Sequence, residues 1–309
     1  PETQISYMGC RTRVIGNVND PTKEISARRG NLSFTSINLP RIAIRANHSL
    51  DWFFEELDRK IDLVAEQILE RFEIQCRKKV SNFPFLMGEG VWLDSEKLGW
   101  NDEVREVLRH GTLSIGFIGL TETLIALIGK HHGEDAAAQN LGLEIISHMR
   151  ARCDELSKKH KLNFTLLATP AEGLSGRFVR LDKKRFGVIP GVTDREYYTN
   201  SFHIPVYFPV SAAEKIRLEA PYHELTNAGH ITYVEMDGAE ESGRFREHHP
   251  LHEGSGRGLR LRQPPGGPGP GLRLQRRDRR RLPQMRQSRR GRPGLPAHPQ
   301  DHRLSGGNP

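Results

Sequence analysis

The chain has 309 residues and a net charge of +8, which by itself suggests an acidic partner such as nucleic acid. The charge is uneven, because residues 241–309 hold sixteen arginines and five acidic residues, whereas residues 1–240 hold 30 basic and 33 acidic residues. No run of about 18 apolar residues occurs, so no membrane-spanning helix is predicted, and three widely spaced cysteines exclude a disulfide framework.

Apolar and β-branched runs alternate with helical patterns along residues 1–240. In chain order they predict a short strand at 4–14 broken by Gly9, a polar loop at 15–30, a buried strand at 31–44 ending near Pro40, a long helix at 50–80, a linker to residue 99 and a short helix at 101–109. They then predict a strand at 112–118, helices at 121–129 and 135–160, a strand at 163–168, a helix opened by Thr169, a strand at 202–207, a helix at 212–217 and a strand at 230–235. This alternation predicts an α/β fold with a largely parallel sheet or barrel.

The long helix has the clearest pattern, and either Ser49 or Asp51 is suited to cap it. Its apolar positions recur at three- and four-residue steps: Ile61, Val64, Ile68, Phe72 and Cys76. Cys76 therefore belongs to a core stripe, and Cys153 lies four residues after Met149 on another such stripe. Both cysteines are predicted to be structural.

The segment 169–174 joins a predicted strand to a predicted helix. Thr169 is a good N-cap, Pro170 suits the first helical position and Glu172 stands three residues after the cap, as in a capping box. A helix N-terminus also offers backbone N–H groups and partial positive charge to an anion. The residues alone allow two interpretations. The segment is a phosphate site, or its own side chains satisfy the first backbone N–H groups of the helix.

The tail differs in composition from the rest of the chain. From Glu241 onward it contains no Lys, Val, Ile, Thr, Tyr, Trp or Cys, and such a segment is predicted to be disordered. One interpretation is an arginine-rich arm for nucleic acid. The favoured interpretation is a reading-frame error, because reading from the second base of each codon permits a cysteine-containing, metal-site-like string over residues 257–287.

Several strings, in one order, carry a resemblance to a known family. They are MGCRTRV at 8–14, RGNLSFT at 29–35, INLPR at 37–41, GTLSIGFIGL at 111–120, NFTLLATPAEGLSGRF at 163–178, GVTDREYYTNSF at 191–202 and HITYVE at 230–235. These strings resemble the anaerobic (class III, glycyl-radical) ribonucleoside-triphosphate reductases over residues 1 to about 238. The frame-shifted reading of the tail resembles the same family's zinc-binding region.

The resemblance implies a fold and a set of site residues. Residues 1–238 would form part of a ten-stranded α/β barrel of the ribonucleotide reductase and glycyl-radical enzyme type, with a finger loop near 8–14, followed by a disordered, out-of-frame tail at 239–309. Cys10 would be the thiyl-radical cysteine that takes a hydrogen atom from the ribose C3′. Asn31 would hydrogen-bond the ribose hydroxyls or the reductant, or else cap a strand. The substrate phosphates would be held by Thr169, Pro170, Ala171, Glu172, Gly173 and Leu174.

The implied activity is the reduction of ribonucleoside triphosphates to 2′-deoxyribonucleoside triphosphates without oxygen, in the cytoplasm. The family further implies a glycyl radical, zinc, ATP or dNTP effectors, a radical S-adenosylmethionine activase, formate or a thioredoxin-like reductant, and a homodimer. No nucleic acid or membrane partner is expected. No metal ligands are assigned within this chain, since His131, His132, His248 and His249 have no second ligand pair at a suitable spacing.

The chain also departs from the family. It starts PETQ, without an initiator Met or a signal peptide, so we expect it to begin inside a longer protein. The zinc site and the glycyl-radical loop are absent as written, so we expect this polypeptide to be inactive alone. Two alternatives remain. A pyruvate-formate-lyase-type enzyme commonly uses adjacent cysteines, whereas Cys10 stands alone between Gly9 and Arg11; a non-catalytic module would bind nucleic acid through its basic arm.

Overall fold

The computed structural model describes residues 7–8, 12–21, 26–235 and 259–262, all within the first of two compact units, Pro1–Pro265. Cys10 and most of the tail lie outside the described residues. The strands are β1 (Tyr7–Met8), β2 (Thr12–Arg13), β3 (Asn31–Asn38), β4 (Thr112–Ile118), β5 (Asn163–Ala168), β6 (Thr232–Glu235) and β7 (Leu259–Arg262). The α-helices are α1 (Leu39–Ala46), α2 (Leu50–Cys76), α3 (Arg105–Leu108), α4 (Leu120–Ile128), α5 (Ala136–His160), α6 (Glu172–Phe186) and α7 (Ala212–Leu225).

A parallel sheet of three strands, in the order β3-β4-β5, is the centre of the fold. Both β4 and β5 have the predicted bounds, and the parallel arrangement confirms the predicted α/β class. Successive side chains of a strand face opposite sides of the sheet. One side contributes apolar residues to a core shared with α2, α4 and α5, including Leu113, Ile115 and Phe117 of β4 and Phe164 and Leu166 of β5.

The first strand ends earlier than predicted, because a helix follows it directly. β3 stops at Asn38, whose side chain accepts a hydrogen bond from the Arg41 backbone N–H and so caps α1. Pro40 stands in the first turn of α1, where its missing N–H costs nothing. The prediction that the strand ends near Pro40 was therefore accurate to two residues, and the rest of the segment to Ile44 is helical.

The helices follow their sequence signals closely. The Ser49 side chain accepts from the Trp52 N–H at the start of α2, so Ser49 rather than Asp51 is the cap. Asp135 caps α5 in the same way, accepting from Ala138 N at 2.9 Å. Two predictions were inaccurate: α3 has four residues only, and α7 continues to Leu225.

The predicted strand at 202–207 is wrong, because this segment forms turns. The Ile204 backbone N–H donates to Glu219 Oε1 at 2.9 Å instead of to a neighbouring strand, and Pro205 has no N–H to give. His203 N and Phe208 N donate to carbonyls three residues before them, as in turns. Composition alone suggested a strand, but the backbone N–H groups of this segment donate to the Glu219 side chain on α7 and to turn carbonyls.

Short strands flank the sheet. β1 and β2 pair antiparallel, with Tyr7 opposite Arg13, so the single broken strand predicted at 4–14 is a pair of strands on either side of Gly9. Residues 227–229 run beside β5: Ala228 N donates to Leu166 O at 2.9 Å, and Ala168 N donates to Gly229 O at 3.1 Å.

One further strand, β7, pairs parallel with β6. The remainder of 239–309 lies outside the described residues, so the disorder expected there stays a prediction. Among the helices that the structure describes, none combines the length and the apolar character needed to cross a bilayer.

Candidate functional site

The side of the sheet that faces away from the core carries a row of polar side chains, which we call the hydroxyl ladder: Asn31, Thr112, Ser114 and Thr165. Asn31 Nδ2 donates to Thr112 Oγ1 at 3.2 Å and also to Ser114 Oγ. Ser114 Oγ and Thr165 Oγ1 are hydrogen-bonded at 2.9 Å, so the ladder crosses all three strands. Its three hydroxyl residues are buried, whereas Asn31 is half-buried.

A second hydroxyl contact, the hydroxyl pair, lies nearer the carboxyl end of the strands. Ser36 Oγ and Thr169 Oγ1 are 2.8 Å apart and hydrogen-bonded. Gly116 lies between them on the middle strand. A Cβ added there would stand 2.2 Å from Thr169 Oγ1 and 2.8 Å from Ser36 Oγ, closer than real Cβ contacts allow. Glycine at this position is what lets the two hydroxyls approach each other.

The hydroxyl ladder and the hydroxyl pair lie close together on one surface. The Asn31 amide reaches Ser114, and Ser114 precedes Gly116 by two residues on the same face of β4. At about 3.3 Å per residue, the two groups are roughly 7 Å apart. Two predicted site features, Asn31 and the segment beginning at Thr169, therefore meet on one polar face although 138 residues separate them in sequence.

The start of α6 differs from the predicted capping box. The helix begins at Glu172, its N-cap is Ala171, and no side chain of the described residues caps it. The Thr169 hydroxyl is engaged by Ser36, and Glu172 is exposed with a left-handed φ of 33°. The capping-box prediction was therefore wrong. A helix start without a side-chain cap keeps its partial positive charge available to an anion.

The other residues of the segment 169–174 surround this helix start. Pro170 and Ala171 connect β5 to α6, and the Ala171 carbonyl accepts from Leu174 N at 2.7 Å. Gly173 is exposed, and a Cβ added there would meet nothing within 4 Å. The space in front of the first turn of α6 is open at this point.

A buried carboxylate that the sequence analysis missed holds α6 in place. Asp182 is fully buried and accepts hydrogen bonds from Asn38 Nδ2 at 2.7 Å, Tyr198 Oη at 2.9 Å and Arg41 Nε. The partners are 144, 16 and 141 residues away, so no local pattern indicates the cluster. Burial beside this carboxylate raises the pKa of Tyr198 well above its usual range.

Two other buried carboxyl groups, Glu122 and Glu219, have pKa values shifted in opposite directions. Glu122, in the first turn of α4, accepts from Thr199 N at 2.8 Å and Thr199 Oγ1 at 2.7 Å through Oε1, while Oε2 has no partner in the described part of the chain. Burial raises the pKa of Glu122 to about 7. Burial also acts to raise the pKa of Glu219, but the charges and hydrogen bonds of His203 and Lys215 outweigh it and hold that pKa well below its usual range.

The two described cysteines have no chemical role in this site. Cys76 and Cys153 are free and buried in the core, which confirms their predicted structural role. Burial raises the pKa of the Cys76 thiol to about 11 and that of Cys153 to about 12, so neither supplies a thiolate at neutral pH. Among the described residues, no group of three or more His, Cys, Asp or Glu side chains is placed to hold a metal ion.

An open groove of about 620 Å³ lies along the outer edge of β3. Its lining includes Asn31 and Thr12, together with the α2 side chains Arg71 and Gln75. Gln75 Nε2 donates to Leu32 O at 3.2 Å and Arg71 donates to Phe34 O at 3.4 Å, so α2 satisfies carbonyls that an edge strand leaves unpaired. The groove brings solvent to the Asn31 end of the ladder.

Comparisons with known proteins identify the family of this chain. The family model for anaerobic ribonucleoside-triphosphate reductase matches residues 1–246. The reductase of Escherichia coli (strain K12) is 38% identical over 231 residues, which is 74% of this chain and 32% of that protein. The reductase of Enterobacteria phage T4 is 34% identical over 238 residues, 75% of this chain and 37% of that protein. The chain spans about a third of the length of these curated relatives.

Solved structures confirm the fold. The Thermotoga maritima anaerobic ribonucleotide reductase with citrate in the active site aligns with a TM-score of 0.61 at 16% identity, over 76% of this chain and 40% of that one. The same reductase in complex with dATP and CTP gives 0.58, over 76% of this chain and 37% of that one. The predicted fold class is confirmed, with the chain forming part of the reductase architecture. Because the family model covers most of its length, the chain belongs to the anaerobic ribonucleoside-triphosphate reductase family.

Proposed function

We propose that this chain is the substrate-binding part of an enzyme that reduces ribonucleoside triphosphates to 2′-deoxyribonucleoside triphosphates under anaerobic conditions. The observation that carries the proposal is the polar face of the sheet. A half-buried amide at Asn31, the hydroxyl pair and a helix start without a side-chain cap follow one another along that face, and the hydroxyl ladder and the hydroxyl pair are roughly 7 Å apart at about 3.3 Å per strand residue. This order suits a nucleotide with its sugar at the Asn31 end and its phosphates at the helix start.

Each end of the face has a separate role in the proposal. The backbone N–H groups of Glu172 and Gly173 bind the phosphates, where the helix dipole favours negative charge, while the Leu174 N–H donates to the Ala171 carbonyl within the turn. The Asn31 amide hydrogen-bonds a ribose hydroxyl. The hydroxyl pair and Gly116 form the floor between them, since a side chain at 116 would fill the space above Ser36 and Thr169.

Cys10 is proposed as the residue that reacts with the sugar. As a thiyl radical it takes the hydrogen atom from C3′, which forms the S–H bond and leaves a carbon radical on the ribose. A glycyl radical from the rest of the protein would supply the oxidising equivalent. The assignment is supported by the resemblance of residues 8–14 and by Arg13, which donates to Asn227 O and Ala228 O beside β5.

The remaining proposals concern the whole protein and rest on family membership. They are ATP or dNTP effectors, a radical S-adenosylmethionine activase, formate or a thioredoxin-like reductant, a homodimer and a cytoplasmic location. Zinc does not fit the described residues, because Cys76 and Cys153 are protonated core residues, and its ligands would come from another part of the protein. No step of the proposed chemistry passes through zinc.

A pair of substitutions at Gly173 tests the phosphate site. Gly173→Asp adds a carboxylate in the first turn of α6, which should stabilise the helix by about 0.3–1 kcal/mol through the dipole but repel a triphosphate. Gly173→Ala is the matched control, since it changes the backbone freedom in the same way without adding charge. We expect isothermal titration calorimetry to show CTP binding to the wild-type chain and to the Ala variant, and at least tenfold weaker binding to the Asp variant. Equal CTP affinity of the Asp and Ala variants would refute the assignment of the α6 start.

A separate experiment addresses the radical cysteine. In the complete, activated reductase, Cys10→Ala should abolish deoxyribonucleotide formation while CTP affinity stays unchanged. Residual turnover by this variant would show that another group performs the hydrogen abstraction.

A further inference from the structure

The position of Asn31 depends on an irregularity in β3. The register between β3 and β4 shifts between Asn31 and Ser33, which inserts an extra residue into β3. In regular alternation Leu32 would share a face with Phe34 and Ser36, and Asn31 would face the core. Instead Leu32 packs against the core cluster, and Asn31 joins the polar face. A bulge of this kind re-aims a side chain at little cost elsewhere in the sheet.

The Asn31 amide is held in this orientation by hydrogen bonds to the buried hydroxyls of the ladder. Its nitrogen donates to Thr112 and Ser114, and Ser114 is held in turn by Thr165 on the next strand. These hydroxyls are buried, so water does not compete for the bonds. The amide oxygen, Oδ1, has no hydrogen-bond partner in the part of the chain that the structure describes. One half of the amide is thus fixed and the other half is left for a ligand.

We propose that Ser114 and Thr165 are positioning residues, which hold the Asn31 amide with its oxygen toward the ligand so that it selects a nucleotide carrying ribose hydroxyls. The proposal rests on the proposed function for the identity of the ligand. Neither residue touches the ligand; each acts through Asn31. An amide with one anchor removed keeps its hydrogen-bonding capacity but loses its single orientation, and a site recognises a hydroxyl only when its partner atom is held in place.

A hydroxyl-specific set of variants tests this role. Thr165→Val removes the hydroxyl at nearly constant volume, whereas Thr165→Ser keeps the hydroxyl and removes a methyl group. Ser114→Ala removes the hydroxyl that accepts from the Asn31 amide. The first readout is NMR hydrogen exchange of the Asn31 side-chain amide in the chain without nucleotide. We expect slow exchange in the wild-type and Thr165→Ser proteins and clearly faster exchange in the other two.

The second readout is the affinity for CTP compared with 2′-deoxy-CTP and 3′-deoxy-CTP. For one well-held hydrogen bond, the wild-type and Thr165→Ser proteins should prefer CTP over at least one deoxy analogue by about three- to tenfold. Thr165→Val and Ser114→Ala should lower that ratio towards one, while their affinity for the triphosphate group, measured with the deoxy analogues, stays unchanged.

The two readouts separate the possible failures. Unchanged amide exchange in Ser114→Ala would refute the proposal that the hydroxyl ladder holds the Asn31 amide. A freed amide with an unchanged CTP preference would overturn its role in selection. If the wild-type chain binds none of the three nucleotides, the proposed function fails, but the exchange measurement still decides whether the ladder holds Asn31.

Discussion

Glu122→Gln should make the protein more stable above pH 7 than the wild type. Burial raises the pKa of Glu122 to about 7, whereas in the unfolded chain the group titrates near its ordinary pKa of 4.5. As the pH rises through this window, the unfolded chain releases its proton and the folded protein retains it. Stability that is fully present below pH 4.5 is therefore lost as the pH approaches 7, by about 3 kcal/mol.

The local structure explains why glutamine suits this position. Oε1 accepts both hydrogen bonds from Thr199, and a glutamine oxygen can accept them equally well. The other oxygen, Oε2, has no hydrogen-bond partner in the described structure, so its replacement by an NH2 group breaks no hydrogen bond. Gln does not titrate, and its advantage over Glu122 should grow from near zero at pH 4.5 to about 3 kcal/mol at pH 8.

Glu219→Gln is the matched control with the opposite sign. The pKa of Glu219 is held low by His203 and Lys215, so the carboxylate stabilises the fold above the unfolded pKa, and this contribution is lost only as the pH falls towards the folded pKa. Its neutral replacement leaves the Lys215 charge without a buried counter-charge, which typically costs about 3–5 kcal/mol. That cost should shrink as the solution is acidified.

The assay is urea unfolding of the three proteins at pH 4.5, 6 and 8. Subtracting the wild-type free energy of unfolding at each pH removes the contribution of all other titrating groups. The difference for Glu122→Gln should rise with pH, whereas the deficit of Glu219→Gln should be equal at pH 6 and 8 and begin to shrink only near pH 4.5. A Glu122→Gln difference that is flat or falls with pH would refute the reasoning, because the carboxyl group would then be ionised in the folded protein at low pH.

Three further predictions concern single positions. Gly116→Ala should destabilise the fold by about 1–3 kcal/mol and weaken CTP binding, because the added methyl group collides with Thr169; unchanged urea midpoint and affinity would contradict this. Ser49→Ala should cost about 1 kcal/mol in urea unfolding by removing the α2 cap, whereas Asp51→Ala should cost less; equal losses would mean that both residues cap. The ring of His132 should remain neutral down to about pH 4, since burial lowers its pKa, and an NMR titration midpoint near 6.5 would show that the ring is solvated.

Local patterns predicted those elements that carry a continuous apolar run or a helical apolar stripe. The bounds of β4 and β5 came directly from apolar runs bounded by polar residues, and α2 came from its periodic stripe. The errors occur where tertiary contacts override composition. Residues 202–207 look like a strand until the Ile204 N–H is seen to donate to Glu219 on α7.

The candidate site was only partly accessible to sequence reasoning. Resemblance indicated Asn31 and the segment starting at Thr169, but neither pattern nor resemblance indicated that Ser36 binds the Thr169 hydroxyl. That contact joins residues 133 positions apart and depends on a missing side chain at Gly116. Asp182 was missed for the same reason, since its partners come from two separate segments, 38–41 and 198.

A single amide at Asn38 links two helices of the site. Its oxygen caps α1 by accepting from Arg41 N, and its nitrogen donates to Asp182 within α6. The folding of the two helices should therefore be thermodynamically cooperative, with a substitution in one changing the hydrogen-exchange protection of the other. Any perturbation that reorients α1 is then transmitted through one side chain to α6, the helix that we propose as the phosphate site.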